Sequence, residues 1–253
     1  MISALGFGLI IGLAVGMVGG GGAVLAVPVL VYAVGLGVHE ATTVSLAVVS
    51  LGAATGAAGQ ARRGAVCWAS AGWFALAAAL GSIIGTLANR ALGGEILLLL
   101  FSGVMLLAAR ATWMRAGSGM VKGSGCPPAR VAVLLPVGLA VGALTGLVGV
   151  GGGFVVVPTL AIGLSFGLRE AMATSIVIIA IVSLCGLISH LALGNSLDVP
   201  VTLAMGGAAM AGAYAGPALA DKFSTEALGR AFALLVVLVA TSVVGATLAG
   251  VSI

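Results

Sequence analysis

Residues 4 to 36 form one apolar run that the stretch GGGG (19 to 22) cuts in the middle. As a single helix its 33 residues would measure about 50 Å, well beyond a hydrocarbon core of roughly 30 Å. Cut at the glycines it gives pieces of roughly 16 and 14 residues, each short for a crossing. Two short pieces suit a hairpin that enters and leaves a bilayer on one side. The bilayer itself follows from the rest of the chain, which is 61% hydrophobic and 6% charged, where a soluble domain carries roughly 25% charged residues. The other apolar runs lack strand alternation, which excludes a lipid-facing barrel and leaves helices. The small net charge of +4 is scattered, so nucleic acid is excluded as a partner.

The broken run occurs twice. At an offset of 130 residues, GLAVGMVGGGGAVLAVPVL (12 to 30) falls on GALTGLVGVGGGFVVVPTL (142 to 160), with nine identities in nineteen positions, among them Gly19 on Gly149, Gly21 on Gly151, Gly22 on Gly152 and Pro28 on Pro158. HEATTVS (39 to 45) then falls on REAMATS (169 to 175). Each half reads as four apolar units: 4 to 36, 41 to 60, 67 to 89 and 95 to 113, then 131 to 167, 171 to 193, 198 to 220 and 226 to 249. The glycine-rich, basic stretch 115 to 130 is a linker. The N-terminus has no basic region before its apolar stretch and is expected to be a membrane segment and not a removable signal.

Basic residues orient the chain. With the linker cytoplasmic and each broken unit a hairpin, Arg62, Arg63, Arg110, Arg115, Lys122, Arg130, Arg169, Lys222 and Arg230 fall inside and Arg90 alone outside. If each broken unit crossed once, the division would be six to four. The expected fold is therefore an all-α integral membrane protein of two inverted-topology repeats, each a re-entrant glycine-broken helical hairpin plus three transmembrane helices. The first repeat is 1–114, the cytoplasmic linker 115–130 and the second repeat 131–253, with six full spans and both termini outside.

Inverted hairpins would bring Gly19, Gly20, Gly21 and Gly22 and, from the opposite face, Gly149, Gly151, Gly152 and Gly153 toward the bilayer midplane. Bare amides and the helix starts near Ala23 and Phe154 can hold an anion there; the alternative is glycines that serve packing alone. Pro28 and Pro158 each free a carbonyl one turn earlier and are candidate hinges. Thr42, Thr43, Ser45, Thr174 and Ser175 open equivalent spans and can add hydroxyl donors, while capping their own helices is the competing role. Gln60 and His190 coincide at the same offset, and His190 can bind an anion or carry a proton. Arg62 and Arg63 are candidate entrance residues. Cys67, Cys126 and Cys185 show no CxxC spacing and are expected to be small packing residues, without a disulfide framework or a metal site. No cofactor motif and no catalytic set emerges.

The doubled pattern GLAVGMVGGGGAVLAVP and GALTGLVGVGGGFVVVP, followed by EATTVS and EAMATS, resembles the TauE/SafE sulfite exporter family of bacterial membrane proteins. ARRGAVCW (61 to 68) is similar to that family's basic loop, RRGNVDW, with Ala65 and Cys67 in place of its Asn and Asp. The resemblance implies export of sulfite or a small organosulfonate across the cell inner membrane. The main expectation is a secondary transporter working by alternating access around the midplane site. A passive anion channel with the same hairpins is the alternative, and a membrane enzyme or assembly factor stands further off. The expected partners are the small sulfur-containing anion, the lipid bilayer and, where copies associate, a homo-oligomer. An inside-negative potential favours anion exit by about 2.3 kcal/mol per charge per 100 mV, so proton coupling is not required.

Overall fold

The apolar units fold where local sequence lets them start and stop. The structure, a computed structural model, describes residues 2–19, 22–116, 126–148, 153–220, 222–223 and 225–248. Among these residues lie ten helices: α1 (Ile2–Val18), α2 (Ala23–Pro28), α3 (Val38–Arg62), α4 (Trp68–Ala91), α5 (Gly94–Ala116), α6 (Val131–Val148), α7 (Gly153–Pro158), α8 (Leu168–Ala192), α9 (Val199–Ala220) and α10 (Thr225–Leu248). No strand occurs among the described residues.

The boundaries have local causes that recur 130 residues apart. Gly37 and Gly167 stand before α3 and α8 in extended conformation, and Glu40 and Glu170 in the first turns complement the helix dipoles. Gly64 and Gly194 follow the same two helices with φ of 67° and 83°, the left-handed geometry that stops a helix. Gly19, at φ 71°, plays that part for α1, its N–H bonding the Val15 carbonyl at 3.0 Å. After Pro28 and Pro158 the chain continues as π-helical turns, Val29–Val34 and Thr159–Gly163. They close with Leu36 N–H on the Leu30 carbonyl and Phe166 N–H on the Leu160 carbonyl. A proline supplies no N–H for the regular ladder, which accounts for a change of helix type beside it.

Glycine stripes set how the helices meet. A Cβ on Gly8, Gly12 or Gly16 of α1 would collide with the backbone at Met205, Ala209 and Ala213 of α9, in that order. Gly138, Gly142 and Gly146 of α6 face Phe74, Ala78 and Ser82 of α4 in the same way. Positions rise together in both pairs, so α1 runs parallel to α9 and α6 parallel to α4. Such close backbone approach is what small residues four apart permit. Gly52 and Gly56 of α3 lie against Ala209 and Ala213, so α3 also runs parallel to α9. Gly56 meets Ile176 while Gly186 meets Leu46, so α3 and α8, the helices at equivalent places in the two halves, run antiparallel.

Five described helices are long and apolar enough to cross a membrane: Val38–Arg62, Trp68–Asn89, Val131–Val148, Arg169–Ala192 and Val199–Ala220. Four of the expected spans are among them. The fifth is α6, expected as the short limb of a hairpin; the described apolar stretches of α5 and α10 are the shorter Ile96–Arg110 and Ala233–Val243.

The cysteine expectation is overturned. Cys67 and Cys126 form a disulfide with Cα atoms 5.6 Å apart, and Cys185 is the free one. The reason is topological: α4 and α6 start side by side, so Cys67, immediately before α4, meets Cys126, five residues before α6. A separation of 59 residues hides this from any spacing rule.

Candidate functional site

The two central helices carry the polar residues. Ala41 to Ser50 of α3 and Ala171 to Ile179 of α8 are buried without interruption, as a helix surrounded by others must be. Within them Thr42, Thr43, Ser45, Thr174 and Ser175 are at most 1% exposed. The Thr42 hydroxyl bonds the Val38 and His39 carbonyls at 2.7 and 2.8 Å, and the Thr43 hydroxyl bonds the His39 carbonyl at 3.1 Å. Both thus serve their own helix. Thr174 Oγ1 accepts the Cys67 N–H at 3.1 Å, and Ser175 Oγ donates to the Gly19 carbonyl at 2.6 Å, a bond it shares with the Met172 carbonyl at 2.8 Å. Two buried hydroxyls among the described residues have no partner, Ser45 Oγ and Ser183 Oγ. Ser45 belongs to α3 and Ser183 to α8, the two helices that contact each other antiparallel. Ser183 was not among the sequence candidates, although a serine inside IVIIAIVSLCGL (176 to 187) is itself the signal.

The glycine turns divide into what the structure describes and what lies outside. Gly20, Gly21, Gly149, Gly151 and Gly152 are outside the described residues. A Cβ on Gly19 would meet Met172 of α8, and one on Gly22 would meet Ile11, Ala14 and Val15 of α1. Gly153 is buried at the start of α7. The limbs leading to the turns, α1 with 17 residues and α6 with 18, measure about 25 and 27 Å against a core of roughly 30 Å. Gly22, across the first turn, lies back at the level of Ile11 to Val15 of α1. Along α8, Ser175 touches Gly19 and His190 touches Gly146, positions roughly 22 Å apart at 1.5 Å per residue. These two contacts lie apart along α8, while α2 and α7, the segments that follow the turns, touch each other; the glycines expected to meet there, Gly20, Gly21, Gly149, Gly151 and Gly152, are the ones outside the described residues.

His190 is fully buried and both ring nitrogens are engaged. Asn195 Nδ2 donates to Nδ1 at 2.8 Å, so Nε2 carries the proton and donates to the Gly146 carbonyl at 3.1 Å. Asn89, also fully buried, donates from Nδ2 to the next carbonyl, Leu147, at 2.6 Å, and its Oδ1 accepts from His39 Nδ1 at 3.0 Å. Two Asn–His pairs thus hold the last carbonyls of α6, groups a helix end leaves unsatisfied. His39 and Asn89 escaped the sequence analysis because they meet only where the start of α3 and the ends of α4 and α6 come together, whereas Asn195 reaches His190 locally, five residues along the chain. Gln60 is half-buried at the far end of α3 from His190's level and does not join it. Replacing Asn89 with alanine strands the Leu147 carbonyl, and the melting temperature of purified protein should fall by about 2–6 °C; an unchanged value would show the pair to be idle.

Pro28 and Pro158 are buried where α-helix passes into π-helix. Pro158 also lines an apolar groove of about 460 Å³ with Val104, Leu107, Val137, Leu144 and Val155. Arg62 and Arg63 are exposed at the end of α3, on the face that carries the starts of α4 and α6.

A family model described as sulfite exporter TauE/SafE matches residues 4–243. Two proteins of Xylella fastidiosa, from strains 9a5c and Temecula1 / ATCC 700964, each named probable membrane transporter protein, are similar to this chain at 34% identity, over 96% of it and 95% of their own length. No solved structure matches. A multi-pass helical membrane protein whose sequence fits the family model almost from end to end belongs to the TauE/SafE sulfite exporter family.

Proposed function

We propose that this chain is a secondary transporter that exports a small sulfur-containing anion, sulfite or an organosulfonate, across the cytoplasmic membrane. Its two halves, 1–114 and 131–253, are of inverted topology, and the linker 115–130 is cytoplasmic. Helix direction supports the inversion: α1 and α3 both run with α9, as a first limb and the following span do when the chain between them doubles back. α6 and α8 both run with α4, by the glycine contacts and by the bonds at Cys67 and Asn89, and the equivalent helices α3 and α8 are antiparallel. Each broken unit then acts as a hairpin, and the anion passes between α3 and α8.

The observation that carries this reading is the pair of unpartnered buried hydroxyls, Ser45 and Ser183. A buried hydroxyl without a partner costs about 1–3 kcal/mol, a cost relieved whenever an anion accepts its proton in passing. Proteoliposomes loaded with sulfite test it. Saturable flux with counterflow is expected, and Ser45→Ala and Ser183→Ala should each raise KM about tenfold by removing one hydrogen bond to a charged ligand. Unchanged KM in both variants would take the path away from α3 and α8, and conductance without trans-acceleration would make the protein a channel.

A further inference from the structure

The face carrying Arg62, Arg63, Arg130, Arg169 and Lys222 also carries the Cys67–Cys126 disulfide. These two observations pull in opposite directions. A face rich in Lys and Arg is cytoplasmic, whereas a lasting disulfide belongs to an oxidising compartment, and cytosolic disulfides are usually transient and catalytic or redox-sensing. They are reconciled if the bond is reversible. We propose that Cys67 and Cys126 form a thiol–disulfide switch that, when oxidised, ties the stretch leading into α6, residues 126 to 130, to the start of α4 on the cytoplasmic face and, when reduced, releases it. The inference rests on the cytoplasmic placement of the linker in the proposed function and adds regulation to it.

The surroundings fit a switch. Cys67 is 4% exposed, fixed as the residue before α4 and held by its N–H bond to Thr174. Cys126 is exposed. Beside the pair lies a cavity of about 120 Å³ lined by Ser70, Pro127, Pro128, Arg130, Ser165 and Phe166, so the bond fixes one wall of a pocket that the Arg130 guanidinium lines. Thr174 is followed by Ser175, which bonds the Gly19 carbonyl; the anchored cysteine is therefore next to the first glycine turn.

Exchange needs only a small thiol and its disulfide. The thiolate of a low-molecular-weight thiol attacks the exposed Cys126 sulfur, the Sγ–Sγ bond breaks, and Cys67 leaves as thiolate with the electron pair and takes a proton. A second thiolate attacks the mixed disulfide, freeing Cys126 and forming the small disulfide. In sum, one protein disulfide and two small thiols become two protein thiols and one small disulfide, and oxidation is the reverse.

Thiol counting tests the bond without reference to any substrate. Cells are quenched in acid, the full-length protein is denatured, and free thiols are tagged with a maleimide-linked polyethylene glycol. With three cysteines in the chain, three tags are expected in unstressed cells and one, on Cys185, after brief diamide treatment; Cys126→Ser should give two in both. One tag in unstressed cells, or three after diamide, overturns the switch. Sulfite flux should then fall about fivefold or more on oxidation of the wild type and stay constant in Cys126→Ser. Equal flux in both redox states of the wild type overturns the regulatory role. Flux absent in both states sinks the transporter reading and that role with it, while the tag count still decides whether the bond is reversible.

Discussion

Gly142→Leu is expected to leave almost no monodisperse protein in detergent, whereas Gly103→Leu accumulates like the wild type. Both glycines are helical, and alanine is favoured over glycine there by about 1 kcal/mol, so intrinsic propensity predicts no loss at either position. Packing separates them. A Cβ on Gly142 would fall on the carbonyl, C and Cα of Ala78, and a leucine can be admitted only by prising α6 off α4. Gly103 has nothing within 4 Å of the same atom. Overpacking against movable side chains costs typically 1–3 kcal/mol, and backbone offers no such relief. Gly12→Leu, aimed at Ala209, should behave as Gly142→Leu does. Fluorescence-detected size exclusion checks all three, and a monodisperse Gly142→Leu peak would mean that the α4/α6 seam is not as close as described.

The second large effect is all-or-none. In a background of Cys67→Ser, Cys126→Ser and Cys185→Ser, a cysteine at Ala65 and one at Ser196 should react with an impermeant maleimide from opposite sides of the membrane. The two loops are equivalent by sequence and share a left-handed glycine, Gly64 and Gly194. They nonetheless follow helices that contact each other antiparallel, through Gly56 on Ile176 and Gly186 on Leu46. Intact cells should label Ser196→Cys and spare Ala65→Cys, and inside-out vesicles should reverse this. Labelling of both from one side would refute inverted halves.

What could be read from the sequence was whatever local chemistry dictates. Apolar units delimited their helices within a few residues, because Gly37 and Gly64, Gly167 and Gly194 mark the ends of α3 and α8 in the chain itself. Thr43 and Ser45 were picked out by polarity in an apolar setting, and both are buried. The form of the second limb was not legible. The break in the first run was placed correctly, but the second limb is a six-residue helix and a π-turn, a compact form that follows from Pro28 and is invisible to a count of apolar residues. Whatever depends on α4 lying parallel to α6 was hidden as well. That includes the cysteine pair and the Asn89 bond to Leu147, while the fate of His190, whose nitrogens are taken up by Asn195 and Gly146, depends on α8 lying against α6.

The pairing of α1 with α9 bears on biosynthesis. The ribosome must add nearly all of the chain before the partner of the first helix exists. Between Gly12 and Ala209 lie almost two hundred residues, about 10 to 40 seconds of elongation at 5–20 residues per second. Throughout that interval the smooth flank of α1 is open to lipid or to other nascent helices. The mature bundle is thus latched by its earliest segment through one of its last.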